Sequence, residues 1–394
     1  MQADGTFDTA AEQPSKPARQ YYLDWLRVLA ILIIFTFHSA RFFDNLDWHV
    51  KNTITTTGFS IYITFISSWI MPLFFVLSGA SIYYALQSRS TGYFAKERVT
   101  RLLVPLVIVG IFILAPPQVY LERLSHGDFS GNFFAFIPEY FKGNYDFGDG
   151  NFPVFGLHLW FLLTLFLYSM ILLPLFIPNK QTLKSLLSRF SKYFEKLWAL
   201  LLLALPIFVL ELSRYAIGMD QAGWSILVYL LLLAYGYLIF SNTKIQAVVR
   251  KYTFAFLGVA IALSILHIIL RYVVEVDASS LSPQNVGIQL ERAFNVWLWI
   301  LAFIGLGMRY LQRNNRFVQY ANEAVLPFYI LHQTIIVLIG YFIVQWNINI
   351  GVKYVLVLVI CFPVIMAIYH LLVRRFNVLR FLFGMRLNKK KDGA

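Results

Sequence analysis

Residues 21–43 read YYLDWLRVLAILIIFTFHSARFF, and the stretch from Val28 to Phe37 carries no charged side chain. A helix needs about 20 predominantly apolar residues to cross the hydrocarbon core of a membrane, and this run supplies them. The whole chain of 394 residues is similar, since 59% of it is hydrophobic and 13% is charged. Soluble domains contain about 25% charged residues. The sequence therefore predicts a polytopic membrane protein.

Further apolar blocks follow along the chain, each continuous over most of its length and bounded by charged or turn-like connections. Transmembrane β-strands would instead give segments of about ten residues with alternating apolar and polar side chains. We therefore predict an all-α polytopic membrane helix bundle with about ten transmembrane helices. The apolar windows are 25–43, 58–86, 102–119, 157–177, 197–212, 222–240, 252–272, 293–311, 323–345 and 353–373.

The chain divides into one membrane domain and two short tails. Residues 1–20 are polar, lack the apolar core of a signal peptide and predict a disordered cytoplasmic tail. Residues 21–376 form the membrane domain, and residues 377–394 form a basic cytoplasmic tail. The longest connection, about 120–156, lies outside and combines glycines with aromatic and polar residues. It suits either a cap over a ligand or a partly interfacial loop.

The distribution of positive charge predicts the orientation of these windows. Of 33 Lys and Arg residues, 24 fall in the two tails and in every second connection, whereas 8 fall in the other connections. Positive residues concentrate on the cytoplasmic side of membrane proteins, so we expect both termini to be cytoplasmic. Orientation and anionic lipid account for the net charge of +13, and no nucleic acid partner is needed.

The first window carries ionisable residues at membrane depth, where such groups are costly and usually functional. Arg27 and His38 are eleven residues apart, which places them on one helix face about 16 Å apart. Asp24 lies on the same side and is expected to pair with Arg27. His38 is predicted to lie near the middle of the membrane. It is either a structural core histidine or a functional group.

Other histidines occur inside or at the edge of later windows. His158 begins the fourth window, and His332 follows Pro327 in the ninth, where a proline kink would free backbone carbonyls. We interpret His267 and His370 as structural. No helix carries histidines at an i,i+4 spacing, so we predict no metal site. The single cysteine, Cys361, excludes an internal disulfide.

Two arginines begin the third window on the predicted inner side. Arg98 and Arg101 are three residues apart, and their guanidinium groups are suited to a bidentate grip on phosphate. Anchoring at the membrane surface would place arginines there as well, so both readings stay open. Ser78 belongs to a patch of small residues, Ser78 to Ala80, that fits close helix packing or ligand contact.

At these residues the sequence resembles the acyltransferase-3 family of integral-membrane acyltransferases. The matching pieces run in family order over most of the chain, which makes their combination specific although each piece is weak alone. Residues 47–52, DWHVKN, are similar to a glucan biosynthesis branch of the family. The other matching pieces are Arg27 with His38, residues 74–79, residues 98–105, residues 158–162 and residues 326–332.

The resemblance implies a bacterial inner-membrane enzyme with ten membrane helices and no permanently bound cofactor. It further implies a cytosolic acyl-CoA donor and an acceptor hydroxyl, commonly on a carbohydrate, at or beyond the outer face of the lipid bilayer. Many relatives carry an appended extracytoplasmic domain that this chain lacks. Acetyl-CoA and succinyl-CoA are both open as donors, as are the acceptor's identity and the oligomeric state.

The physical chemistry of acyl transfer assigns expected roles to these residues. A base must take the proton of the attacking hydroxyl, and His38 has a suitable side chain. His158 and His332 are candidates to orient His38 or to donate to the thioester oxygen. The residues expected to hold the donor are Arg27, Arg98, Arg101 and Ser78. The residues expected to hold the acceptor are Trp48, His49 and Lys51.

Two further alternatives stay open at this point. An acyl-histidine intermediate would replace direct transfer to the acceptor. A proton-coupled transporter of a small solute would also place histidine and arginine at membrane depth. The chain shows no internal repeat, which counts against the transporter folds that are built by duplication.

Overall fold

The computed structural model describes residues 19–142, 158–176, 185, 189, 191–218, 220–276 and 281–388. Most of residues 1–20, the end of the 120–156 connection and the last six residues lie outside these ranges. The described residues are overwhelmingly helical, and they include two strands of two residues each, β1 (Asp220–Gln221) and β2 (Trp224–Ser225), which pair antiparallel. The all-α prediction is confirmed.

The helices in the first half of the chain pack around the first apolar stretch. A long helical segment joins α4 to α5 through two π-helical stretches, Val99–Leu103 and Pro105–Leu114. The helices are α1 (Tyr21–Ala40), α2 (Thr57–Ser67), α3 (Ile70–Leu86), α4 (Thr91–Arg98), α5 (Ala115–His126), α6 (Phe133–Lys142) and α7 (Trp160–Phe176).

The helices in the second half include the two longest of the described chain. A π-helical turn, Ile368–Val373, extends α16. The helices are α8 (Leu197–Leu202), α9 (Ala204–Leu212), α10 (Arg214–Ile217), α11 (Ile226–Ser241), α12 (Thr243–Lys251), α13 (Thr253–Tyr272), α14 (Pro283–Tyr310), α15 (Arg316–Ile343), α16 (Ile350–Ala367) and α17 (Asn377–Leu382).

Within the described ranges, eight helical segments are long and apolar enough to cross a membrane. A ninth requires α11 and α12 to act as one span, and these two helices meet at a bend of 98°. The helix α7 is apolar but has 17 residues. The chain is thus a multi-pass membrane protein, and the total of ten spans stays a prediction. The eight are Tyr21–Ala40, Thr57–Leu86, Thr91–His126, Leu197–Ile217, Thr253–Tyr272, Pro283–Tyr310, Arg316–Ile343 and Ile350–Val373.

Several boundaries differ from the apolar windows because the helices bury polar side chains. The helix α14 begins at Pro283 rather than at 293, and the hydroxyl of Ser282 caps it by accepting from the amide of Asn285. Asn285 and Gln289 are buried in its first turns. A hydropathy window ends at such polar residues and assigns them to an exposed loop. Inside the bundle, however, hydrogen bonds satisfy their polar groups.

The structure also departs from the predicted windows and connections at two other places. The expected connection 120–156 begins as the last two turns of α5, which ends at His126 and is followed by Gly127 with φ +80°, and it continues as α6. The window 222–240 begins with the β1–β2 hairpin instead of a helix. The hairpin turn needs positive φ at Ala222 and Gly223, and a helix has no place for such residues.

The helix α1 is central to the bundle, since it contacts α2, α3, α14, α15 and α16. Beside it, α3 and α11 approach closely through two glycines. A Cβ added at Gly79 would overlap the backbone of α11, and one added at Gly236 would overlap the carbonyl of Val76. The close contact explains the small-residue patch at Ser78 to Ala80 and fixes α3 against the site described below.

Candidate active site

The polar face of α1 forms the floor of the site. The guanidinium of Arg27 donates to Asp24 at 2.9 Å and to the hydroxyl of Ser81 at 2.7 Å. The predicted Asp24–Arg27 pair is therefore confirmed. One and two turns further along the same face, Ile31 and Ile34 line a cavity, and His38 follows after another turn.

A first cavity, here called the arginine cavity, has a volume of about 110 Å³. Arg27, Ser78 and Tyr329 are the lining residues with polar groups, and the rest of its wall is apolar. Two predicted donor-binding residues, Arg27 and Ser78, thus meet in one cavity although they lie on different helices. The lining residues are Arg27, Ile31, Ile34, Met71, Phe74, Leu77, Ser78, Phe161, Val325, Leu326 and Tyr329.

A second cavity, here called the histidine cavity, has a volume of about 490 Å³ and contains many more polar groups. It collects His38, His158, Trp48 and His49, which the sequence had placed in three separate segments. The hairpin turn at Gln221 to Gly223 closes one side. Its principal polar and aromatic lining residues are His38, Arg41, Asp47, Trp48, His49, Glu122, His126, His158, Trp160, Tyr329 and Gln333.

Three residues line both cavities: Ile34, Met71 and Tyr329. We call them the dividing residues. They come from α1, α3 and α15 and separate the apolar arginine cavity from the polar histidine cavity. His38 is one helical turn beyond Ile34, so its ring stands directly on the far side of this division.

Three imidazole rings form a row at this point. The ring centroids of His38 and His332 are 5.1 Å apart, and those of His332 and His158 are 5.0 Å apart. His332 is fully buried in the middle, while His38 and His158 reach the histidine cavity. The three residues that sequence reasoning selected as histidines at membrane depth therefore converge.

Backbone carbonyls fix the protonation pattern of two of these rings. His332 Nδ1 lies 2.6 Å from the carbonyl oxygen of Tyr329, and His158 Nε2 lies 3.1 Å from that of Ile330. A carbonyl accepts only, so each of these nitrogens carries the proton, and in the neutral ring the other nitrogen is a lone-pair acceptor.

Those other nitrogens are buried and lack a partner among the described residues. They are His332 Nε2 and His158 Nδ1, and His38 Nδ1 is buried and unpartnered in the same way. Since His38 lines the histidine cavity, its Nε2 is the nitrogen available to a ligand there. Buried polar atoms are rarely left without hydrogen bonds, so this row of nitrogens is the candidate functional site.

A second network holds His49 in the wall of the histidine cavity. His49 Nδ1 lies 2.6 Å from Glu122 Oε2, and His49 Nε2 lies within 3.1 Å of the side-chain amides of Gln118 and Gln333. Both ring nitrogens of His49 are engaged, in contrast to those of His38. His49 is therefore held as part of the cavity wall, whereas the ring nitrogens of His38 are not engaged by other described residues.

The remaining predicted acceptor residues separate into two groups. Trp48 stacks on His38, with 6.2 Å between ring centroids and 22° between ring planes. Lys51 does not line the histidine cavity, because its ammonium donates to the carbonyls of Arg41 and Asp44 and to the carboxylate of Asp44. Burial lowers the pKa of Lys51, and the contact with Asp44 opposes that shift. Lys51 thus supports the loop that carries Trp48.

Neither of the other two arginines predicted to hold the donor lines the arginine cavity. Arg98 sits over the ring of Phe94 at 4.6 Å, and Arg101 Nε donates to the carbonyl of Gly384 at 3.1 Å. A Cβ at Gly384 would lie 3.1 Å from Leu326, which does line the cavity. Arg101 thus contacts a residue, Gly384, that lies next to the cavity wall at Leu326, and the side chain of Arg101 is 45% exposed.

The comparisons with known proteins agree with this geometry. Residues 20–372 match the acyltransferase domain of the acyltransferase-3 family. The chain belongs to the acyltransferase-3 family. It is consequently a membrane acyltransferase, and the row of histidines lies inside the matched region.

Individual relatives of this acyltransferase match over shorter segments. Glucans biosynthesis protein C of Shigella dysenteriae serotype 1 (strain Sd197) is 29% identical over 114 residues, which is 29% of each chain. The protein of that name from Escherichia coli (strain K12) is 28% identical over the same length, again 29% of each chain. The one from Salmonella typhi is 31% identical over 108 residues, 27% of this chain and 28% of that protein. The alignments span less than a third of these relatives, and no solved structure matches.

Two histidines of the acyltransferase lie away from both cavities and from the row of imidazole rings. His267 Nδ1 is 2.9 Å from Glu291, and His370 Nδ1 is 3.1 Å from the hydroxyl of Tyr320. Side-chain contacts between helices account for both, in line with their interpretation as structural. In the part of the chain that the structure describes, no group of His, Cys, Asp or Glu could hold a metal ion.

Sequence reasoning missed several residues of the site. Tyr329 lines both cavities and its hydroxyl donates to the carbonyl of His158. Its position three residues before His332, on the same helix face, is the one signal that pointed to it. Glu122, Gln118 and Gln333 gave no signal, because single uncharged or window-edge polar residues are common in such helices and their meeting at His49 depends on packing.

Proposed function

We propose that this acyltransferase moves an acyl group from cytosolic acyl-CoA to a hydroxyl of a carbohydrate acceptor on the extracytoplasmic side of the bacterial inner membrane. One observation carries the proposal. An apolar cavity that begins at Arg27 and a polar cavity that contains Trp48 meet at three dividing residues, and His38 stands at that meeting point. A donor and an acceptor entering from opposite sides would meet there.

The donor is held on the arginine side. Arg98 and Arg101, which begin the third apolar window, are proposed to hold the phosphates of coenzyme A, for which guanidinium groups are suited. The thioester arm then extends past Arg27 and Ser78 into the arginine cavity. The apolar wall excludes water, which would otherwise hydrolyse the activated thioester.

The chemistry begins with His38 as general base. Its Nε2 takes the proton of the acceptor hydroxyl while the oxygen attacks the thioester carbon, and the O–C bond forms. The C–S bond then breaks, and the proton on His38 passes to the sulfur of the departing coenzyme A. His332 Nε2 is a lone-pair acceptor beside the unpartnered Nδ1 of His38. Neither atom has a hydrogen-bond partner among the described residues, so the orienting contact has to form in the reacting complex. Rotation of the two rings, whose centroids are 5.1 Å apart, would let His332 Nε2 accept from His38 Nδ1–H and leave His38 Nε2 unprotonated.

The lone pairs of His158 and His332 favour an orienting role over donation to the thioester oxygen. A neutral imidazole that donates to a carbonyl through one nitrogen has no second proton to give. In this arrangement the ring of His158 packs against His332 at the end of the row remote from His38. The backbone carbonyl of His158 accepts a hydrogen bond from the hydroxyl of Tyr329.

The acceptor binds in the histidine cavity. Trp48 offers an aromatic face, and Asp47, His49 and Gln333 offer polar groups around it. Aromatic faces bordered by hydrogen-bonding groups suit a sugar ring, which has an apolar face and a rim of hydroxyls. The relatives named glucans biosynthesis protein C support a glucan as the acceptor class.

Thiol release tests the proposal. The full chain in lipid nanodiscs is given acetyl-CoA or succinyl-CoA with glucose oligosaccharides, and free thiol and acceptor mass are followed. Acceptor-dependent thiol release with a mass increase of one acyl group is expected. A transporter would consume no thioester, so lack of release with every donor and acceptor would refute acyl transfer. Radiolabel retained on the protein without acceptor would favour an acyl-histidine intermediate.

A further inference from the structure

We propose that the turn of the β1–β2 hairpin, residues 221–223, contacts the acceptor at the mouth of the histidine cavity, and that the ion pair of Arg292 with the buried Glu211 positions this turn. The inference rests on the proposed function and deepens it by naming residues that hold the acceptor. It assigns a role to charged side chains that take no part in the acyl transfer chemistry.

The hairpin turn lies at the open end of the histidine cavity. Ala222 and Gly223 line this cavity and are exposed, as is Asp47 on the loop that follows α1. Deeper in the same cavity, His158 is buried. An acceptor that enters from solvent and reaches His38 therefore passes the turn.

The turn has a backbone conformation that needs support from its surroundings. Ala222 has a φ of +49° and Gly223 a φ of +83°. Positive φ is uncommon for residues other than glycine, and it persists where the surrounding structure holds it. The groups bonded to the hairpin are therefore the ones that fix the shape of the turn.

Two arginines on different helices bind the same carbonyl of the turn. Arg292 of α14 and Arg214 of α10 both donate to the carbonyl oxygen of Gly223. Both also donate to Oε1 of Glu211, at 3.2 and 2.9 Å. Oε2 of the same carboxylate accepts from the backbone amide of Ser225 in β2 at 2.8 Å. Glu211 thus holds the hairpin directly and through both arginines.

Two aromatic residues hold the hairpin next to the turn. Trp224 is fully buried, and the guanidinium of Arg292 lies over its ring, 4.5 Å from the ring centroid. Its Nε1 donates to the carbonyl of Ser67 at 3.3 Å, and Ser67 lines the histidine cavity as well. The hydroxyl of Tyr229 donates to the carbonyl of Gln221 at 2.7 Å. Both ends of the turn are consequently fixed against the wall of the cavity.

The charges of this network compensate each other, so they hold the turn and do not attract a charged ligand. Glu211 is fully buried, and Asp220 accepts from Arg214 at 2.6 Å, which gives two carboxylates for two guanidinium groups. Buried ion pairs add little net stability, because desolvation offsets their attraction. Charged groups at membrane depth are nevertheless costly and usually functional. Their bonds to Gly223 and Ser225 support the positioning of the turn as that function.

A lysine variant tests the positioning role of Arg292. The full chain in nanodiscs is assayed with glucose oligosaccharides and the donor that the wild type uses best, and KM is measured separately for donor and acceptor. Arg292→Lys keeps the positive charge, but a single ammonium lacks the planar fork that binds Glu211 and Gly223 together. We expect kcat/KM for the acceptor to fall by at least about tenfold through a higher KM, with kcat and the donor KM unchanged.

Arg309→Lys is the matched control for that variant. Arg309 Nε also donates to a backbone carbonyl, that of Arg250 at 3.0 Å, but Arg309 lines neither cavity. Its replacement should leave the acceptor KM unchanged. A purely structural role of Arg292 would lower kcat with the folded fraction and leave KM as it is. That result, or wild-type kinetics, would overturn the positioning role, whereas failure of the wild type to use any donor would refute the proposed function.

Blocking the turn tests its contact with the acceptor without disturbing the network. Ala222→Cys and Ile217→Cys are labelled with the same bulky maleimide, since Cys361 is fully buried and Ile217 is 52% exposed and lines neither cavity. Labelling of Ala222→Cys should lower acyl transfer to the acceptor by at least about tenfold, with acyl-CoA affinity unchanged in calorimetry. Labelling of Ile217→Cys should change neither. Undiminished transfer by labelled Ala222→Cys would show that the acceptor does not pass the turn and would overturn the inference.

Discussion

The chemistry proposed for this site depends on which imidazole nitrogens carry a proton and which keep a lone pair. Two backbone carbonyls of α15, those of Tyr329 and Ile330, accept hydrogen bonds from His332 and His158 and so determine which nitrogens keep a lone pair. His38 is the one member of the row whose ring makes no such bond among the described residues. The proposed base thus differs from its two neighbours in its hydrogen bonding as well as in its predicted depth in the membrane.

The first prediction concerns His38. His38→Gln keeps a hydrogen-bonding side chain of similar reach but cannot accept a proton at neutral pH. Turnover should fall by ~10²–10⁴-fold, the usual worth of general base catalysis, while acyl-CoA binding measured by calorimetry persists. His370→Gln serves as the control, because His370 is exposed and contacts Tyr320 outside both cavities. Near wild-type turnover of a folded His38→Gln protein would refute the base assignment and favour His332.

The second prediction concerns Arg98 and Arg101, the arginines proposed to hold the phosphates of the donor. Arg98→Ala and Arg101→Ala should each weaken acyl-CoA binding by at least about tenfold, since each removes a charge-assisted bond of about 1.5–3 kcal/mol. Lysine replacements should restore binding in part, because they keep the charge but lose the planar fork.

Arg309→Ala is the matched control for those arginines. Arg309 lies over the ring of Phe254 and lines a shallow surface pocket away from both cavities. Its replacement should leave acyl-CoA affinity unchanged. If both Arg98→Ala and Arg101→Ala bind acyl-CoA as the wild type does, these residues are membrane anchors and not donor contacts.

At the scale of helices, the packing of α3 against α11 positions the residues of the proposed donor-binding cavity. The backbones of the two helices meet at Gly79 and Gly236, and no side chain separates them. Small residues allow such close approach in membranes, where dispersion contacts hold helices together. Met71 and Ser78 lie on α3, so the position of this helix sets the width of the arginine cavity.

The third prediction follows from that contact. Gly79→Ala should destabilise the protein by about 1–3 kcal/mol, because its Cβ would overlap the backbone of α11. Gly258→Ala in α13 should be neutral or slightly stabilising, since its Cβ would meet nothing within 4 Å and alanine favours helix. Thermal unfolding in detergent compares the two variants. Equal melting temperatures would show that α3 and α11 do not pack as described.

At the scale of the whole molecule, the chain separates its charges across the bundle. The predicted orientation would place the arginine cavity toward the side that carries most Lys and Arg residues and the histidine cavity toward the other side. A donor carrying phosphates and a neutral acceptor would thus each approach the surface suited to it. The orientation of the bundle decides whether the proposed direction of transfer is correct.

The fourth prediction tests that orientation by labelling with a membrane-impermeant maleimide. Ser130→Cys should react in intact cells, whereas Ser241→Cys and a reporter fused after residue 394 should respond only from the cytoplasm. Cys361 is fully buried, so the unsubstituted protein provides an unlabelled background. Labelling of Ser241→Cys in intact cells would invert the predicted arrangement.

Local sequence determined the helices and one face of the site. Hydropathy located all the long apolar helices, since each must bury its backbone polar groups within itself to lie in a membrane. The helical repeat placed Arg27 and His38 on one side of α1, and the spacing of Asp24 and Arg27 gave their ion pair. These properties depend on residues within a few turns of each other, so no tertiary contact was needed to predict them.

Tertiary structure alone decided what surrounds that face. The row of His38, His332 and His158 joins three segments that are distant in the chain, and the contact of Glu122 with His49 likewise depends on how α5 packs. The same packing left Lys51 outside the histidine cavity, because Asp44 and neighbouring carbonyls engage its ammonium. Hydropathy and helical spacing describe one helix at a time, whereas a cavity and its hydrogen bonds are formed between helices.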